Sequence, residues 1–190
     1  AGLYAEVAER MAGKPVYYRM LDVGADKTAD FLSTAREENP AMGLRGARLL
    51  LARDDLFVPQ ARALARTAQE HDNVHVMFPM VIDTAQFREL KAKFAEAAAE
   101  IACDSIKFGL MLETPAACLL GRELLGEADF ASVGSNDLLQ FLLAADRSNS
   151  ALSNVGDWEH PAFWLTLNDL AAAAAETGTP LSVCGELASD

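Results

Sequence analysis

Cysteine is scarce in this sequence: Cys103, Cys118 and Cys184 are the only three among 190 residues, an odd number with no close spacing. That argues against a disulfide framework and for a reducing compartment. Long apolar runs are missing too, since none nears the roughly 18 residues of a membrane span. The N-terminus lacks the charged-then-apolar layout of a secretion signal. The expectation is a cytoplasmic protein with no membrane partner. Positive charge is in short supply, with 16 Lys and Arg against 28 Asp and Glu and a formal net charge of -12. A field of that sign repels polyanions, so nucleic acid is not expected as a partner. Histidine is limited to His71, His75 and His160. None has a second ligand at metal spacing, and all three are expected to be structural. Repeats are absent apart from the alanine run 171–175.

What is present is the composition of a soluble globular domain, 51% apolar and 23% charged. A chain of this length is one domain by the usual prior and buries roughly 70% of its unfolded surface. The spacing predicts a helix over 3–12, stopped by Gly13, and a strand over 16–22, whose polar members Arg19 and Asp22 read as an edge that faces water. Asn39-Pro40 reads as a helix start that leads into one helix through Asp55. Arg45 and Arg48 share a face near its first turns. They form either a solvated basic face or an anion site, since a helix start favours negative charge and arginine offers a rigid fork to phosphate. Further helices are expected over 57–70 and 83–101, with a strand at 74–80 between them.

The stretch 107–146 carries the most chemistry. KFGLMLE has the continuous apolar run of a strand covered on both faces, and it ends in Glu113. Thr114-Pro115 then caps and opens a helix over AACLLGRELL. DFASVGSND repeats the plan, with small residues before Asn136 and Asp137, which open an apolar helix to Asp146. A polar loop at 151–159, a helix at 161–176 stopped by Gly178, and a strand at 181–186 complete the pattern. Five strands with gaps long enough for helical crossovers make an α/β domain with right-handed parallel connections. Strand ends are where parallel barrels place their active sites. Glu113, Asn136 and Asp137 are therefore candidates to hold a divalent metal and an anionic substrate. On spacing alone the two carboxylates read sooner as helix caps, and Cys184 as a small buried hydrophobe.

Six strings in order, NPAMGLRGAR, VMFPM, GLMLETPAA, FASVGSNDLLQ, LAADRSN and CGELASD, resemble the phosphoenolpyruvate-binding domain of Enzyme I of the bacterial phosphotransferase systems, phosphoenolpyruvate-protein phosphotransferase. The resemblance runs from Gly13 onward. It implies a partial (β/α)8 TIM barrel over 1–190 with about five of eight strands, the first strands and the last lying outside the sequence. It implies Mg²⁺ on Glu113 and Asp137, and substrate phosphate and neighbouring oxygens on Arg19, Arg45, Asp137 and Arg147. Asn136 matches the residue that meets the substrate carboxylate, and Cys184 the acid that protonates the methylene carbon, with Arg45 its catalytic companion at the phosphate. The reaction implied moves a phosphoryl group from phosphoenolpyruvate to a histidine on a separate domain, releasing pyruvate, with a phosphocarrier protein beyond it and a homodimer as the assembly. No motif of that histidine surrounds His71, His75 or His160. The alternatives are an interaction module without turnover and a dikinase or synthase on the same barrel. The sequence departs from the family at Ala25, at Ser135 for Thr, and at Ser148 for Gly after Arg147.

Overall fold

A computed structural model of the protein describes residues 2–23, 37–152 and 158–189. Five strands, β1 (Val16–Arg19), β2 (Val74–Phe78), β3 (Phe108–Leu112), β4 (Phe130–Gly134) and β5 (Leu181–Cys184), lie in chain order. The pairs β1 with β2, β3 with β4 and β4 with β5 are parallel. The helices are α1 (Gly2–Arg10), α2 (Gly46–Ala52), α3 (Asp54–Glu70), α4 (Thr84–Ala97), α5 (Pro115–Leu119), α6 (Gly121–Leu125), α7 (Ser135–Leu142) and α8 (Pro161–Thr177). This is the expected class: α/β, with parallel strands alternating with helices in the manner of a (β/α)8 TIM barrel. The chain forms two compact units, Ala1–Met80 with Arg88–Phe108, and Val81–Phe87 with Gly109–Asp190.

In the first unit Val16 to Arg19 pair with Val74 to Met77. The buried residues of α3, Phe57, Ala61, Leu64, Ala65 and Ala68, recur every three or four positions and make its apolar stripe. Tyr18 donates its hydroxyl to the Tyr4 carbonyl at 2.7 Å, which docks α1. Asn73 Nδ2 reaches the carbonyls of Ala8, Met11 and Lys14 and closes the end of that helix. The single helix expected from Asn39 to Asp55 is instead a 3-10 turn at Pro40–Met42, then α2, then α3. Asn39 makes no capping bond; Glu37 accepts from the Leu44 N–H at 2.9 Å. The break is physical. Gly46 has φ +51, and a Cβ there would lie 2.6 Å from Met80 Cβ, so the chain turns where only glycine fits. Ala25 lies outside the described residues.

In the second unit β3 and β4 are buried along nearly their whole length. Gly109 lets the Phe130 ring lie where a Cβ would stand, and Gly121 does the same for Leu170 at the approach of α6 to α8. Thr114 caps α5 as expected, accepting from the Ala117 N–H at 3.2 Å while its hydroxyl donates to the Val81 carbonyl. The helix expected over AACLLGRELL is divided at Leu120, just before the close approach at Gly121. α7 stops at Leu142 rather than running to Asp146, because Ala144 turns to φ 51 and Ala145 N–H bonds back to the Gln140 carbonyl. β5 ends at Cys184, two residues short of the expectation, and a 3-10 turn follows over Glu186–Ser189. Within the loop expected at 151–159, residues 153–157 lie outside the described residues.

Candidate functional site

In the first unit, the end of β1 and the start of α2 bring three of the charged residues together. Arg19 is the last residue of β1, and Asp22 follows three positions on. Arg45 stands just before α2 in extended conformation. Its Nε donates to Asp22 Oδ1 at 3.0 Å and its Nη2 to Asp22 Oδ2 at 2.6 Å, a two-pronged pair buried at both ends. Arg19 Nη1 lies 3.6 Å from the same carboxylate, with its side chain 43% exposed. Arg48 does not join them. It is exposed and donates to the Met42 and Gly43 carbonyls at 2.7 and 3.1 Å, which ties off the 3-10 turn. The expected pairing of Arg45 with Arg48 on one face thus gives way to Arg45 with Asp22, because the helix does not begin until Gly46.

The second unit gathers the remaining candidates at the C-terminal ends of β3, β4 and β5. Leu112 pairs with Val133 and Gly134 with Cys184, so Glu113 and Cys184 flank Gly134 on neighbouring strands. Glu113 is 1% exposed. Its carboxylate occupies the place of a Gly134 side chain: a Cβ on Gly134 would sit 2.3 Å from Oε2. Asp137 is buried in the first turn of α7, where the helix dipole favours an anion. Arg147 Nη2 lies 3.9 Å from Asp137 Oδ1 at the exposed rim. The backbone N–H of Arg147 donates to the Gln140 side chain at 3.1 Å.

The turn after β5 is clasped to the turn after β4. Ser135 Oγ donates to the Cys184 carbonyl at 2.6 Å, and the Glu186 N–H donates to Asn136 Oδ1 at 3.1 Å. Gly185 between them has φ 100, and a Cβ there would lie 2.4 Å from Ser135 Oγ. Cys184 Sγ is half-buried and donates to the Val133 carbonyl at 3.4 Å. The hydroxyl kept at Ser135 therefore has a definite job. Ser148 has one also: its N–H and Oγ both donate to Asp146 Oδ1, at 2.9 and 2.6 Å, which braces the turn carrying Arg147. A cavity of about 210 Å³ opens beside these residues, lined among others by Asn136, Gln140, Arg147, Trp158 and Glu186.

Two buried carboxylates suit a hard cation. Among the described residues no three of His, Cys, Asp and Glu gather as a metal cage. Magnesium fits a set of one or two carboxylates, because it keeps waters and substrate oxygens in its other positions. The histidines take other parts. His75 Nδ1 accepts from the Lys107 N–H, His160 Nδ1 caps α8, and His71 closes α3. Burial, with the Glu113 charge adding to it, pushes the Cys118 thiol up to about 12, so it is inert as a nucleophile near neutrality. Sequence reasoning left Asp22 and Gln140 without a part in the site, and took Gly134 only as one of the small residues that let a ligand approach the backbone, not as the seat of Glu113. Gln140 carries no signal of its own, whereas Asp22 stood three residues from Arg19.

Residues 1–190 match the family model described as PEP-utilising enzyme, PEP-binding domain. The multiphosphoryl transfer protein of Xanthomonas campestris pv. campestris is 40% identical over 187 residues, 98% of this chain and 22% of that protein. The phosphoenolpyruvate-protein phosphotransferases of Priestia megaterium and Listeria monocytogenes are each 39% identical across 98% of this chain, which spans 34% of their length. The chain thus spans between about a fifth and about a third of the length of these relatives. Among solved structures, a citrate lyase from Burkholderia xenovorans LB400 superposes with a TM-score of 0.58 at 14% identity, over 94% of this chain and 58% of that one, a likeness of fold. With a family match over its whole length and relatives this similar, the chain belongs to the PEP-utilising enzymes, as their PEP-binding domain.

Proposed function

We propose that this chain is the phosphoenolpyruvate- and Mg²⁺-binding part of a phosphotransferase that passes the phosphoryl group to a histidine on another domain and releases pyruvate. The observation that carries the reading is Glu113, a carboxylate 1% exposed at a strand end and seated on Gly134, with Asp137 three residues further along the chain. A hard cation is one kind of partner that offsets the desolvation of a carboxylate set this deeply. Phosphoryl transfer asks for charge neutralisation and alignment rather than covalent chemistry, and these residue types supply both.

On this reading Glu113 and Asp137 hold the Mg²⁺, which when bound neutralises charge on substrate oxygens. Arg19, Arg45 and Arg147 take the phosphate and its neighbouring oxygens, and Asn136 the carboxylate. Departure of the phosphoryl group leaves the enolate of pyruvate. Cys184 then delivers its thiol proton to the methylene carbon, and the thiolate is reprotonated from solvent. The same reading makes a phosphocarrier protein the later acceptor, in a sugar or nitrogen phosphotransferase system, and a cytoplasmic homodimer the form. No described helix is long and apolar enough to cross a membrane.

Calorimetric titration of the intact protein with phosphoenolpyruvate tests this. Binding is expected with Mg²⁺ and lost with a chelator, and Glu113→Ala abolishes the metal-dependent part. Equal affinity with and without the metal would remove Glu113 and Asp137 from the role.

A further inference from the structure

Asp22 is a buried charged residue to which the proposed chemistry gives no part. Its side chain is 2% exposed, against 9% for Arg45 and 43% for Arg19, so the anion is more deeply set than either cation it meets. Its place is built from several directions. The Met20 N–H bonds to the Met77 carbonyl at 2.9 Å, and the Leu21 N–H to Gln60 Oε1 at 2.9 Å. Gly46 leaves the space beside it: a Cβ at 46 would stand 3.3 Å from Asp22 Oδ1. The chain therefore gives up a side chain at the first residue of α2 in the place where the Arg45–Asp22 pair forms.

We propose that Asp22 is a positioning residue for Arg45. An arginine has four side-chain torsions to order before its fork can meet a phosphate, and freezing them at the moment of binding is costly. Here the carboxylate takes Nε and Nη2, which fixes the plane of the guanidinium and directs its Nη1–Nη2 edge away from Asp22. A fork aimed before substrate arrives needs no reorganisation as charge develops on the transferred phosphoryl group. Asp22 also offsets one of the two positive charges beside it, so it sharpens direction while weakening bare attraction for anions. That combination separates it from a residue that merely holds the fold.

The proposal rests on the reading that Arg45 meets the substrate phosphate, and the test keeps the two apart. Pyruvate formation is measured in the intact protein with its phosphoryl acceptor, and phosphoenolpyruvate affinity is measured with Mg²⁺ present. For Asp22→Asn, which keeps shape and loses charge, kcat is expected to fall on the order of 100-fold, the scale of a small misplacement of a reacting group. Affinity should stay within a few-fold of wild type, because lost orientation and lost opposing charge offset one another. In an Arg45→Lys background, Asp22→Asn should slow the reaction no further. An unchanged kcat, a parallel loss of affinity, or effects that multiply in the double variant would each overturn the proposal. Wild-type transfer by Arg45→Lys would instead overturn the underlying reading. Should Asp22→Asn fail to fold, the wild-type protein still decides. The Arg45 Nε–H resonance, identified by its loss in Arg45→Lys, should stay slow to exchange with solvent when phosphoenolpyruvate and Mg²⁺ are added. Rapid exchange in that complex would show that Asp22 lets go of Arg45 before chemistry and is no anchor.

Discussion

Arg147 and Ser148 show how a single side chain can brace the turn that carries a charged neighbour. Ser148 supplies a hydroxyl and an N–H to Asp146, and these two bonds, the hydroxyl first, hold that carboxyl below its ordinary range. A depressed carboxylate favours the fold above its unfolded value of 3.8 and loses that contribution as pH falls through the lower folded value. Ser148→Gly should therefore raise the Asp146 pKa toward 3.8, read by NMR titration of its side-chain carboxyl carbon. Cys118 has the opposite sign. Its thiol is raised from 9.0 to about 12 by burial and then by Glu113. The folded protein should lose stability as pH climbs between those values, and at pH 8 the thiolate fraction is roughly 10⁻⁴. Maleimide labelling followed by mass spectrometry should leave Cys118 unmodified at that pH under native conditions, with labelling appearing in denaturant.

At the scale of the elements, two positions set the geometry of the strand ends. Gly134 has φ -81, which any residue adopts, so its glycine is required by space: the Glu113 carboxylate fills it. Gly134→Ala should cost about 1–3 kcal/mol in chemical denaturation, as overpacking does, and, if Glu113 holds the proposed Mg²⁺, weaken phosphoenolpyruvate binding in its presence at the same time. Thr114→Ala removes both the α5 cap and the bond to the Val81 carbonyl, and a loss of about 1–2 kcal/mol is expected from the same measurement. Thr114 was legible in the sequence, since Thr-Pro before an apolar periodic run is a local signal. The five strands were legible too, because apolar runs bounded by turn residues do not depend on distant contacts. What escaped the reading depends on them. The unbroken helix expected from Asn39 fails at Gly46, whose reason is Met80, thirty-four positions away in the chain. The end of α7 fails at Ala144, a residue with no turn preference of its own. Asp22 read as the polar edge of a strand because its partner Arg45 is remote in sequence. The clasp of Ser135 and Asn136 on the turn after β5 likewise joins residues that no spacing rule connects.

At the scale of the whole molecule, β5 pairs with β4 alone among the described strands, and it leaves Ser182 and Val183 exposed. Trp164 is 51% and Leu165 65% exposed on α8 of the same unit. A parallel strand with an open edge invites association. Light scattering of this chain alone should show a mass that rises with concentration, and Val183→Lys, a charge on that edge, should lower it; a constant monomer mass would refute the expectation. The clasp between the turns after β4 and β5 has another kind of consequence, one for inheritance. Ser135, Asn136 and Gly185 share one small volume, with a Cβ at 185 closing on both neighbours, at 2.4 Å from Ser135 Oγ and 2.9 Å from Asn136 Oδ1. A single substitution at 185 is then deleterious in almost any background, and a change at 135 or 136 alters which substitutions the other two tolerate. In a library randomised at all three positions, active members should carry correlated triplets rather than independent choices.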